Sequence, residues 1–143
     1  MRSKYSIAIS VLVGAFVACG LPRLAAAQTA QPLRVTLLGT GRPDPVMDRF
    51  GPSTLVEAGD ERLLFDAGRG VSQRLWQLKI PLGSVNALFL THLHSDHTVG
   101  IPDLWLTGWL PTPFGRRVVP LEVWGPAGTR PMMAGLREAY AWD

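Results

Sequence analysis

All three histidines of the 143-residue chain fall within six consecutive positions, in the run Thr91-His92-Leu93-His94-Ser95-Asp96-His97, with a carboxylate just before the last. Neutral imidazole and ionised carboxylate are the side chains that offer lone pairs to a divalent ion, and one histidine alone would not point to metal. Residues two apart on an extended segment face the same side, so His92 and His94 can present their rings to one ion at about 2.0–2.1 Å per nitrogen. Asp96 and His97, placed where that alternation breaks, can face a second position. Two hydrolytic metals about 3.5–4 Å apart activate a water between them and clamp the oxygens of the group being cleaved. The mixed donor set favours zinc and also accepts manganese or iron.

Ligands placed this way need fixed elements behind them. Val85-Asn86-Ala87-Leu88-Phe89-Leu90 reads as a short buried strand ending at the motif, and Val99-Gly100-Ile101-Pro102 as a turn into a helix. Upstream, residues 33–38 form a strand closed by Gly39-Thr40-Gly41, and residues 42–52, with three prolines, form a loop that is either a connector or a rim over the site. Residues 53–57 and 62–66 flank Ala58-Gly59-Asp60-Glu61 as a β-hairpin. Asp66 ends an apolar strand, where a carboxylate needs a partner or caps the turn before Ala67-Gly68.

Val71, Leu75 and Leu78 predict a helix after Gly70, with Trp76 in its packing. Ile101, Leu104, Trp105 and Trp109 mark a second helix, with Pro102 in its first turn and Asp103 at the positive end of its dipole. Residues 111–120 form a loop whose Arg116-Arg117 reads by default as a solvated pair, with contact to an anionic substrate as the alternative. A strand at 121–124 and the turn Gly125-Pro126 then lead to a last helix carrying Met132, Met133, Leu136 and Tyr140.

The histidine motif resembles the signature of the metallo-β-lactamase fold superfamily of hydrolases. Leu38-Gly39-Thr40-Gly41, Phe65-Asp66-Ala67-Gly68 and Leu121-Glu122-Val123-Trp124-Gly125-Pro126 narrow that resemblance to its ribonuclease Z and arylsulfatase-like branch, from about Leu33 to the last residue. The resemblance implies an α/β fold, a four-layer αββα sandwich of two similar halves, of which this chain holds the N-terminal half. It implies His92 and His94 on a first metal and Asp96 and His97 on a second. Asp96 would double as proton acceptor, and Asp66 would lie beneath the site, hydrogen-bonded to a ligating imidazole. The family's remaining ligands, two histidines and a bridging aspartate, lie further along, and no histidine follows His97. The chain is therefore expected to be truncated at its C-terminus. Where ribonuclease Z relatives tend to be polar and serine-rich, this chain has Leu104-Trp105-Leu106-Thr107-Gly108-Trp109-Leu110. That departure suits a smaller or more apolar substrate, unless the tryptophans are merely core.

Residues 1–27 read as a secretory signal peptide: Arg2 and Lys4, an apolar run from Tyr5 to Cys19, and Leu24-Ala25-Ala26-Ala27 before Gln28. The run, about 15 residues, is shorter than a spanning helix requires. Residues 28–143 then form one metallo-β-lactamase-like domain in the periplasm or medium, with no membrane span after cleavage. Phe16-Val17-Ala18-Cys19 leaves lipidation of Cys19 as an alternative. Losing Arg2, Lys4 and Arg23 leaves eleven basic against eleven acidic residues, a balance that argues against nucleic acid as a partner. The sequence thus predicts a hydrolase with two zinc ions in the complete domain, cleaving a small phosphodiester or sulfate ester. The alternatives are a lactone or β-lactam hydrolase, or an inactive metal-binding fragment.

Overall fold

Period-two alternation of apolar residues decides how each strand sits in the sheet. The computed structural model describes residues 32–143, so the expected signal segment 1–27 lies outside the described residues. Strands β1 (Leu33–Gly39), β2 (Ser53–Ala58) and β3 (Glu61–Phe65) pair antiparallel in chain order. Strands β4 (Ala87–Phe89) and β5 (Glu122–Trp124) then add in parallel beside β3. The expected hairpin is present and tight: Ala58 pairs with Glu61, and Gly59 takes the positive φ (61°) such a turn needs.

Parallel neighbours require crossovers, and the helical segments supply them. Helix α1 (Val71–Gln77) lies between β3 and β4, while α2 (Ser95–Thr98) and α3 (Ile101–Gly108) lie between β4 and β5; α4 (Thr129–Ala139) follows. The register aligns Leu55, Leu64, Leu88 and Val123 across the sheet. The three leucines are fully buried with Val71 and Leu75 of α1 and Ile101 and Leu104 of α3 in one core. Each such leucine stabilises the fold by about 1.5–3 kcal/mol. The neighbouring row, Leu37, Thr54, Phe65, Phe89 and Trp124, points the other way. There Phe65 stacks on Phe89 at 5.1 Å, and Leu37 and Trp124 stay exposed.

Some expectations need correction. Helix α1 ends at Gln77, so Leu78 caps it and is exposed rather than completing an apolar stripe. Trp76 is half exposed, meeting Phe114 edge-on at 5.3 Å. Arg117 is not solvated: it is buried, its guanidinium donating to the carbonyls of Val85 and Leu82. In the Leu104–Leu110 run, Leu104 is core, Trp105 is partly covered and only Trp109 and Leu110 are exposed among the large side chains. No described helix is long and apolar enough to cross a membrane.

Candidate metal centre

The candidate site forms where β3 and β4 end side by side. Just past β3, Asp66 donates its N–H to the Phe89 carbonyl (2.8 Å) and accepts at its own carbonyl from Ser53 Oγ (2.9 Å). Its backbone has φ 61°, in the left-handed region that costs a residue with a Cβ on the order of 1–3 kcal/mol. Contacts on every side hold it there. The carboxylate is buried and both oxygens are engaged: Oδ1 accepts the Thr91 N–H at 2.8 Å, and Oδ2 accepts the Thr91 hydroxyl and pairs with His97 Nδ1, each at 2.8 Å.

Past β4 the chain runs through His92, Leu93 and His94 without regular structure and then turns into α2, whose first turn carries Asp96 and His97. The His92 and His94 rings lie edge to face with centroids 4.7 Å apart, and the His92 and His97 rings are 4.0 Å apart. His97 Nε2 is 3.7 Å from Asp96 Oδ2. Two backbone bonds fasten this turn to the Asp66 corner, Ala67 N–H to the His97 carbonyl (2.8 Å) and Gly100 N–H to the Ala67 carbonyl (2.9 Å). Such closeness depends on glycine. A Cβ on Gly68 would stand 2.6 Å from the Asp96 carbonyl oxygen, and one on Gly100 2.5 Å from the Gly68 carbonyl oxygen. Gly51 belongs to the same contact, which brings the end of the proline-rich loop against the main chain of Asp96.

The fit to a divalent ion rests on donor chemistry. With His97 Nδ1 committed to Asp66, the free nitrogen is Nε2. Its 3.7 Å separation from Asp96 Oδ2 is one that a single ion with bonds of about 2.0–2.2 Å can bridge. As the side chains stand, no three His, Cys, Asp or Glu among the described residues converge on one point. Imidazole and carboxylate nonetheless make a donor set suited to zinc. Two participants carried no signal in the sequence beyond their type: Ser53, which braces Asp66, and Thr91, which precedes the first histidine and fills one flank of the Asp66 carboxylate.

Three comparisons bear on this site. Residues 33–110 match the family model described as Anti-Pycsar protein Apyc1. Ribonuclease Z of Mycobacterium marinum is 44% identical over 111 residues, covering 78% of this chain and 39% of that protein. The short form of human tRNase Z superposes with a TM-score of 0.64 at 32% identity, over 75% of this chain and 39% of that one. The metallo-β-lactamase fold protein YhfI of Bacillus subtilis superposes with a TM-score of 0.62 at 24% identity, covering 73% and 41%, a likeness of fold. The chain thus spans about 39% of the length of the curated relatives it matches. The α/β architecture expected from the resemblance is that of these neighbours. The expectation that nucleic acid is not a partner is overturned by the ribonuclease Z relatives. The physical reason is that a chain-wide charge balance averages over the surface, whereas phosphate recognition needs cations only along the path of the strand.

Proposed function

The chain belongs to the Anti-Pycsar protein Apyc1 family, in the ribonuclease Z-like branch of the metallo-β-lactamase fold, and from that premise we propose that its residues build part of the metal centre of a phosphodiester hydrolase. The observation that carries this reading is the Asp66–His97 bond, which leaves Nε2 of His97 free, 3.7 Å from Asp96 Oδ2, on a ring whose centre is 4.0 Å from that of His92. His92, His94, Asp96 and His97 would hold the ions, zinc first, with manganese or iron as substitutes. A bound divalent ion supplies Lewis acidity and lowers the pKa of water.

The chain's own part is positional. Asp66 fixes the rotation and tautomer of His97, the task a carboxylate performs behind a ligating imidazole. Asp96 lies in the first turn of α2, partly shielded, where its carboxylate can orient a water and take its proton. The water oxygen then bonds to phosphorus while the bond to the leaving oxygen breaks. RNA is the first substrate to test because two of the proteins this chain resembles are a ribonuclease Z and a tRNase Z. Sulfate esters serve as the contrasting arm. The relevant protein is a chimera that continues this chain with the remainder of a 44%-identical ribonuclease Z. It should hydrolyse bis-p-nitrophenyl phosphate and an RNA oligonucleotide, and lose both activities with Asp96→Ala. Turnover surviving the loss of His92 and His94 together would overturn the reading. We also infer export, with cleavage before Gln28; mass spectrometry of secreted protein beginning at Arg2 or Met1 would contradict it.

A further inference from the structure

A count of protons around Asp66 assigns a role to Thr91. A carboxylate only accepts, and a threonine hydroxyl has one proton to give. That proton goes to Asp66 Oδ2 at 2.8 Å, so the hydroxyl oxygen has only lone pairs left for its other neighbour, His92 Nδ1 at 3.0 Å. Nδ1 must therefore be the protonated nitrogen of His92. The backbone reinforces the arrangement, because the Thr91 N–H bonds the other carboxylate oxygen at 2.8 Å, so that Thr91 engages both oxygens of Asp66.

We infer that Thr91 is a positioning residue: it relays the Asp66 carboxylate to His92, as Asp66 acts on His97 directly, so that one buried acid fixes the tautomers of two imidazoles. In both rings the proton is placed on Nδ1 and the lone pair on Nε2. The two rings lie 4.0 Å apart between centres, and the relay leaves the Nε2 lone pair of each free to accept. The inference rests on the reading of His92 as a metal ligand for its purpose, but its evidence is the hydrogen-bond network alone.

The experiment uses the 143-residue chain without metal, its histidines labelled with ¹⁵N, and long-range proton–nitrogen correlation spectra recorded above the pH range in which histidine titrates. His92 and His97 should both show the Nδ1–H pattern. Thr91→Val should move His92 to the Nε2–H form that a free imidazole prefers in water while His97 keeps its pattern, and Thr91→Ser should restore His92. Zinc affinity should fall on the order of 10–100-fold in Thr91→Val and recover in Thr91→Ser. An Nε2–H pattern for His92 in the unaltered chain overturns the relay without need of any variant. So does a His92 pattern that Thr91→Val leaves unchanged. Loss of the His97 pattern in Thr91→Val also overturns it, by showing that the substitution acts through collapse of the Asp66 corner. A His92→Ala chain that binds zinc as well as the original would instead overturn the ligand assignment, a failure the spectra distinguish from failure of the relay.

Discussion

Strand β4 has a buried charge at each end, and the two are put to different use. Before the strand, Arg117 donates from its two terminal nitrogens to the carbonyls of Val85 (2.9 Å) and Leu82 (3.0 Å). After it, Asp66 accepts from Thr91 and pairs with His97. The two residues are almost equally hidden, at 4% and 6% exposure. Burial alone pushes the Arg117 guanidinium below its usual pKa, and its Nε–H has no partner among the described residues. A perturbed, buried charge is thus no mark of a functional site by itself. The partners make the difference. Carbonyls held by Arg117 have no further chemistry to offer, so it serves as a clamp on the loop after α3. An imidazole held by Asp66 still has a second nitrogen with a lone pair.

Asp66→Ala should have the largest effect at either end of β4. Removing the acid leaves the Thr91 N–H, the Thr91 hydroxyl and His97 Nδ1 without their acceptor. The expected loss is about 3 kcal/mol of stability, read by calorimetry, with zinc affinity down by at least about 100-fold in equilibrium dialysis. Asp66→Asn keeps the shape and one acceptor oxygen while removing the charge. Zinc affinity should fall on the order of 10–100-fold with stability lowered by only about 1 kcal/mol. At the other end, Arg117→Lys replaces a two-pronged donor by a point charge. It should cost about 1–2 kcal/mol of stability and leave zinc affinity unchanged. If zinc affinity instead fell in step with stability at Arg117, the two ends would not differ in kind, and the metal effect at Asp66 would be no more than a report on folding.

How much of this was legible in the sequence depended on how far apart the partners lie. The histidine cluster was readable because its donors are contiguous, and the hairpin because Gly59 marks its turn. The strand expected over 85–90 was placed correctly but forms a ladder only at 87–89. The role expected of Asp66 came from resemblance. Its left-handed backbone and its bonds to residues 25 and 31 positions away are products of the tertiary fold, which no local pattern encodes. Arg117 was misread because two adjacent arginines look alike in sequence, although Arg116 has a positive φ (69°) and is exposed while Arg117 is buried. Leu78 was misread because a heptad-like spacing does not say where a helix stops. The charge argument against nucleic acid failed for a related reason, since net charge carries no information about where the charges stand.

The imidazoles gathered by Asp66 and Thr91 are proposed as metal ligands. X-ray absorption at the zinc edge on the zinc-loaded chain tests that assignment most directly, because imidazole rings scatter with a pattern that water and carboxylate lack. Zinc should have nitrogen or oxygen neighbours at about 2.0–2.1 Å with an imidazole pattern that weakens in His92→Ala and in His97→Ala. Zinc bound without that pattern, or a pattern untouched by both substitutions, would contradict it.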